Sequence, residues 1–241
     1  SAAWKWVAVG LDSLGRISQN AGLMQRPRKA GTMNEATACI PLPVDPNAFN
    51  REVRLPYGLT TEHIRKAMGS FTSFLEIVNQ ALFAKKMERL ESILMPANFS
   101  SIVGEFVGAA IPRFHPKLVR NRYPNGHPDL IPVGLYPDDK IKVATEGIEV
   151  KGSQQLRGWQ GHNPEDTWLM VFVFESNKPQ DKLKEKEPKP FRFRLVVGAK
   201  VSKEDWKFSG RSESSRRTIT ASITKSGYEK MFKNWIYKVA D

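Results

Sequence analysis

His127-Pro-Asp-Leu-Ile-Pro-Val-Gly-Leu135, followed beyond Pro137-Asp-Asp139 by Ile148-Glu-Val-Lys151, is the stretch whose reading decides the fold. In a β-strand successive side chains alternate faces, so Glu149 and Lys151 point one way while Ile148 and Val150 point into a core. The turn signal at Pro137-Asp-Asp139 folds the strand carrying Asp129 back beside the strand carrying Glu149, which brings the two carboxylates together. Adjacent carboxylates repel unless a cation sits between them. With only oxygen ligands on offer, the matching ion is hard and divalent, Mg²⁺ before any other. Glu-x-Lys alone is common, and a surface Glu–Lys pair with an unrelated Asp is the competing reading. The Pro-Asp, the intervening turn, the apolar strand flanks and a basic C-terminal half together favour a working site.

Upstream of this stretch the periodicity is helical. Ile64, Ala67, Met68, Phe71, Phe74, Leu75 and Val78 recur at three- and four-residue steps behind a capping Thr60 or Thr61. A second helix is expected over Leu82–Leu94, stopped by Pro96. A third is expected from Asn98 or Ser100 through Val107 to Pro112. Residues 1–58, punctuated by Gly and Pro after a short alternating Trp4–Val9, read as an irregular N-terminal arm or subdomain. Downstream of Pro112, β-like stretches fall at 118–122, 129–135, 141–151, 167–175, 191–201 and 217–224. The charged run 177–190 reads as a solvated hairpin loop, and an amphipathic helix is expected over Tyr228–Tyr237. Helices, then a mixed sheet, then a helix predict an α/β or α+β fold. The division is 1–58 for the arm and 59–241 for a domain whose core is about 98–224.

The chain has 241 residues, 40% hydrophobic and 26% charged, enough for one substantial domain. No apolar run approaches the roughly 18–20 residues that cross a bilayer, and the longest, Trp168–Phe174, has strand length. Cys39 is the only cysteine, which excludes an internal disulfide and a Cys-rich zinc site. With no secretory signal visible, a cytoplasmic, intracellular location is expected. Thirty-seven basic against 25 acidic residues leave +12, and residues 151–241, with 19 Lys and Arg against 11 Asp and Glu, carry +8 of it. Such a surplus favours a polyanionic partner, nucleic acid before a membrane surface.

A hard cation between Asp129 and Glu149 suits phosphodiester hydrolysis, with Lys151 orienting a water or stabilising developing negative charge. With Pro128-Asp129 and Glu149-Val150-Lys151 both intact, the chain resembles the PD-(D/E)XK nuclease superfamily. That resemblance implies a restriction-endonuclease-like core, a mixed sheet flanked by helices, behind helical and irregular N-terminal segments. It implies that Asp129, Glu149 and the Val150 carbonyl ligate Mg²⁺, and that Lys151 is catalytic. Many members add a glutamate on the preceding helix, for which Glu105 is the candidate; a solvated helix glutamate is the bland alternative. The stretch between Lys151 and Trp168, rich in Gly, Gln, His and Asn, does not spell out the core helix that the superfamily places there.

Without helicase motifs or a phosphate-binding Gly-x-x-x-x-Gly-Lys-Ser/Thr loop, the chain most resembles a type II restriction endonuclease of prokaryotic origin. The family implies a homodimer that cuts both strands of duplex DNA. Arg reads guanine edges, and Gln and Asn read adenine. Gln154, Gln155, Arg157, His162 and Asn163 after the catalytic strand, and Arg211, Arg216 and Arg217 in a Ser- and Arg-rich loop, are the candidate DNA contacts. His63 and His115 have no companions at metal-ligand spacing. Two rivals stand beside this reading: a repair or junction-resolving nuclease, and a non-catalytic DNA-binding module.

Overall fold

The computed structural model describes residues 34–161, 166–208 and 221–240. In order these form α1 (Glu35–Ala38), α2 (Thr61–Ala84), α3 (Leu90–Ile93), α4 (Pro96–Phe114), β1 (Leu118–Arg120), β2 (Leu130–Pro132), β3 (Ile148–Ser153) and β4 (Gln160–Gly161). Then come β5 (Trp168–Glu175), α5 (Pro179–Leu183), β6 (Arg192–Lys200), β7 (Trp206–Phe208), β8 (Ala221–Ile223), α6 (Lys225–Lys233) and β9 (Trp235–Lys238). The fold is α/β. A six-stranded mixed sheet, ordered β1-β2-β3-β5-β6-β9, is antiparallel throughout except where β3 runs parallel to β5.

β5 reads Trp-Leu-Met-Val-Phe-Val-Phe because both of its faces are covered. Met170, Phe172 and Phe174 share a core with Phe71, Phe99, Val103 and Ile111 of α2 and α4. Leu169, Val171 and Val173 face the other way, onto Trp159, Trp206, Ile223 and Met231. That second layer is α6 with a small sheet ordered β4-β8-β7. None of the short strands β4, β7 and β8 carries enough alternation to register in the sequence, beyond the part of β8 inside the expected 217–224 stretch.

Several boundaries depart from expectation. The first helix runs to Ala84, and the expected Leu82–Leu94 helix is replaced by α3 alone. Lys86 lies in the left-handed region (φ 58°), with its N–H on the Phe83 carbonyl and that of Met87 on the Leu82 carbonyl. This is a Schellman closure, which caps the last carbonyls and turns the chain out of the helix. Pro96 opens α4 at its first turn, where a missing N–H costs nothing, and Pro112 falls inside its last turn rather than ending it. At the C-terminus the expected Tyr228–Tyr237 helix stops at Lys233. Trp235–Lys238 pair instead with β6, whose free edge accepts these aromatic and β-branched residues. The expected strand 141–151 begins only at Ile148.

Residues 34–58, expected to belong to an irregular arm, dock on the sheet. Leu42 donates to the Phe191 carbonyl, Asn50 to that of Ile236, and Ala48 joins the helix-side core. The charged run 177–190 does connect antiparallel neighbours, β5 and β6, but it is not wholly solvated. Asn177 is buried and accepts from Arg89 (2.7 Å) and the Lys189 amide (2.6 Å). No helix among the described residues is long and apolar enough to cross a bilayer.

Arg89 is the hub of this side of the molecule. It is 2% exposed and meets Glu91 (2.8 Å), Glu35 (2.9 Å) and the Lys189 carbonyl (2.8 Å) as well as Asn177. Glu91, also buried, accepts a second bond from Asn79 (3.0 Å). Removing one member of a buried pair strands the other charge, at a cost of ~3–5 kcal/mol. Arg89→Ala is therefore expected to lower the free energy of unfolding by about that amount in a urea titration. Arg65→Ala, which breaks only the exposed pair with Glu62, should cost less than about 1 kcal/mol.

Candidate active site

The β2–β3 register aligns Leu130 with Ile148. Beyond that pair the ladder stops: the Asp129 side chain bonds the Val150 amide, and the His127 backbone bridges to Val143 while its ring meets Glu149. Asp129, Glu149, Lys151 and His127 all line one open cleft of about 1070 Å³.

Local bonds hold this arrangement. Asn121 donates its backbone N–H to the Asp129 carbonyl (2.8 Å), and its side-chain amide bridges the carbonyls of Pro128 (3.0 Å) and Ile141 (2.8 Å). Val150 donates its N–H to Asp129 Oδ2 (2.8 Å). In a strand a residue's N–H and C=O point to the same side, so the Val150 carbonyl also faces the Asp129 strand. Glu149 is held at both oxygens, Oε1 by Lys151 Nζ (2.7 Å) and Oε2 by His127 Nδ1 (3.0 Å). A carboxylate only accepts, so Nδ1 carries the imidazole proton in this bond.

Two glycines let α4 come close to β3. A Cβ on Gly152 would lie 2.3 Å from the Ser100 carbonyl oxygen, and one on Gly104 would lie 2.9 Å from the Gly152 amide nitrogen. At the strand's start Gly147 (φ +141°) passes under β2, where a Cβ would lie 2.3 Å from the Leu130 carbonyl oxygen. Its amide donates to the Tyr57 hydroxyl (2.7 Å). Glu105, carried to the cleft by α4, is exposed and ion-paired with Arg120 of β1.

The two central carboxyls are pushed in opposite directions. Burial, reinforced by the charge of Glu149, raises Asp129 from the ordinary value of about 3.9 to about 7, against the pull of the Val150 bond and the Lys151 charge. Burial also works against Glu149, but the His127 bond and the charge and bond of Lys151 outweigh it and hold Glu149 down at about 2. Asp129 is thus pushed towards its protonated form chiefly because it is buried, and next because Glu149 lies beside it.

Among the described residues no three His, Cys, Asp or Glu side chains converge as a metal-holding group. The donors at hand are two carboxylates and a main-chain carbonyl, a smaller all-oxygen set that suits a hard divalent cation completed by water. Such an ion would take the place of the Asp129 proton, so these residues fit it. Glu105 stands apart from that set, engaged by Arg120.

The remaining expected contacts are dispersed. Gln155 lines the cleft, as do Arg120, Lys142 and Lys203, which the sequence did not single out. Gln154 instead donates to Ser176 Oγ (2.8 Å), and the Arg157 guanidinium lies over the Tyr228 ring at 5.2 Å. Neither lines the cleft. His162, Asn163, Arg211, Arg216 and Arg217 lie outside the described residues. His63 and His115, unpaired in sequence, meet in a tilted ring contact with centroids 4.8 Å apart, and His115 Nε2 meets the Tyr57 carbonyl. His127 had one readable signal, its place directly before Pro128-Asp129.

No family model, curated protein or solved structure matches the chain.

A carboxyl whose folded pKa is raised contributes stability below its unfolded pKa and loses it as pH rises through the folded one. For Asp129 the loss develops between about pH 4 and about 7, and reaches at most ~4 kcal/mol at ~1.4 kcal/mol per unit. Asp129→Asn keeps an acceptor for Val150 and removes the titration. In metal-free buffer the variant should match the parent near pH 4 and be more stable near pH 8. Thermal unfolding across that range checks this, and a gap independent of pH would contradict it.

Proposed function

We propose that this chain is a Mg²⁺-dependent endonuclease of the PD-(D/E)XK kind that cuts double-stranded DNA, working as a homodimer in the manner of a type II restriction enzyme. The observation that carries the reading is the convergence of Asp129, Glu149 and Lys151 on one open cleft, with Asp129 bonded to the Val150 amide and Lys151 to Glu149. The β1–β2–β3 meander lying against α4 agrees with the mixed sheet flanked by helices that the resemblance implies. In place of the next expected helix, the described part of the β3–β5 connection holds β4 and irregular chain.

Mg²⁺ bound there would polarise a non-bridging phosphate oxygen and lower the pKa of a water. The chain's own residues supply the rest. Asp129 gives up its proton to become a ligand, so cation affinity rises with pH up to about 7. Glu149, already ionised, needs no such step. Lys151 holds its ammonium group at the cleft floor, where it stabilises the charge that develops as water adds to phosphorus and the departing oxygen leaves. Arg120, Lys142 and Lys203 line the walls and suit phosphates on either side of the scissile one. Cutting both strands of a duplex takes two such sites, which is the reason for a dimer.

Incubation of plasmid DNA with the protein and Mg²⁺ should yield discrete fragments, none with EDTA, and sequenced ends at a fixed site. Ends at scattered positions or at branched structures only would favour the repair-type nuclease, and binding without cutting the non-catalytic module. Asp129→Ala and Lys151→Ala should each slow cleavage at least ~100-fold while the protein stays folded; near-parental rates in either would overturn the assignment. If the basic surface makes about six to ten phosphate contacts, affinity measured with Ca²⁺ should fall by ~10³–10⁵ between 50 and 200 mM salt.

A further inference from the structure

Glu149 is gripped by two side chains of different stiffness. Lys151 reaches Oε1 on a four-carbon stem from the same face of the same strand, two residues on. His127 reaches Oε2 from across the hairpin, and its backbone is fixed on both sides. Its N–H donates to the Lys142 carbonyl (3.0 Å), and its carbonyl accepts from Ala144 (2.9 Å). A short ring on a pinned backbone has little room to follow a rotating carboxylate, whereas a lysine ammonium moves readily. Lys151 is also the group that the proposed chemistry requires to leave Glu149 and face a phosphate.

We propose that His127 is a positioning residue: its Nδ1–H pins Glu149 Oε2, fixes the plane of the carboxylate, and so leaves Oε1 as the oxygen that exchanges Lys151 for a divalent cation. The inference rests on the nuclease reading and adds to it a residue outside the Asp129, Glu149 and Lys151 set. Through His127 the two events at Oε1 become one exchange, since the pinned carboxylate cannot swing away to satisfy both partners. Without the pin, the carboxylate rotates about its last torsion, and cation binding must also supply the cost of ordering it.

The test is calorimetric titration of the full chain with Ca²⁺ alone, so that no turnover is involved. Parent, His127→Ala, His127→Leu and His127→Asn are compared, each with a thermal unfolding curve in EDTA. Loss of an outer hydrogen bond to a ligand costs ~10–100-fold in metal affinity, so the Ala and Leu variants should bind Ca²⁺ that much more weakly at little-changed melting temperature. Leu fills the imidazole's space should Ala fail to fold. Asn places an amide N–H close to the Nδ1 position and should recover most of the affinity, which a purely space-filling role for His127 does not predict. Parental Ca²⁺ affinity in His127→Leu, or no recovery in a folded His127→Asn, overturns the proposal and leaves the nuclease reading standing. A parent protein that binds no Ca²⁺ overturns both.

Discussion

Val150 donates its N–H to the Asp129 carboxylate where a regular antiparallel ladder would bond it to the opposite backbone. That substitution sets the geometry around it. It holds the Asp129 side chain against β3, so β2 pairs with β3 through Leu130 and Ile148 alone before the hairpin opens into the cleft. The strand that makes this bond is itself confined, with β5 hydrogen-bonded along one edge and α4 pressed on it through Gly104 and Gly152. A β3 free to shift by one residue would reverse the faces of Glu149 and Lys151. Packing of Ile148 and Val150 into the helix-side core holds it in place.

The electrostatics follow from the same confinement. Two carboxyls facing each other with little water around them cannot both ionise cheaply. His127 and Lys151 meet both oxygens of Glu149 and hold its pKa down, while burial and the charge of Glu149 push that of Asp129 up against a single amide bond. The pair is therefore asymmetric before any cation arrives. In the proposed reaction that asymmetry separates the roles, one carboxylate ready as a ligand and the other freed as the ion displaces its proton. The net charge of +12 acts over a longer range. It bears on how a polyanion is drawn in and not on how the centre is built.

Parts of the structure far from the cleft depend on a different economy of charge. Arg89 and Glu91 lie in the interior, held by Asn79, Asn177 and main-chain carbonyls. They join the segment before α2, the chain after it, and the β5–β6 connection. In sequence Arg89 sits in a stretch that reads as amphipathic helix, where an arginine belongs on the wet side. The Schellman closure at Lys86 reverses that expectation by ending the helix a turn earlier and turning the arginine inward.

What the sequence determined by itself was the set of long, strongly patterned elements and one local pairing. The 3.6-residue period of α2, the two-faced apolar run of β5 and the turn that brings Asp129 beside Glu149 all depend on near neighbours, and so are written in adjacent residues. What only the tertiary structure decided depends on remote partners. Trp235–Lys238 form a strand because β6 has an open edge, although their own pattern reads as helix. The two- and three-residue strands β4, β7 and β8 exist only as one another's ladder. Arg157 lies on Tyr228 because the second layer packs there, and Gln154 meets Ser176 because β3 runs parallel beside β5. His127 reaches Glu149 for the same reason: the bond closes across twenty-two residues of chain. Its existence depends on where the hairpin is anchored, which no spacing along the sequence encodes.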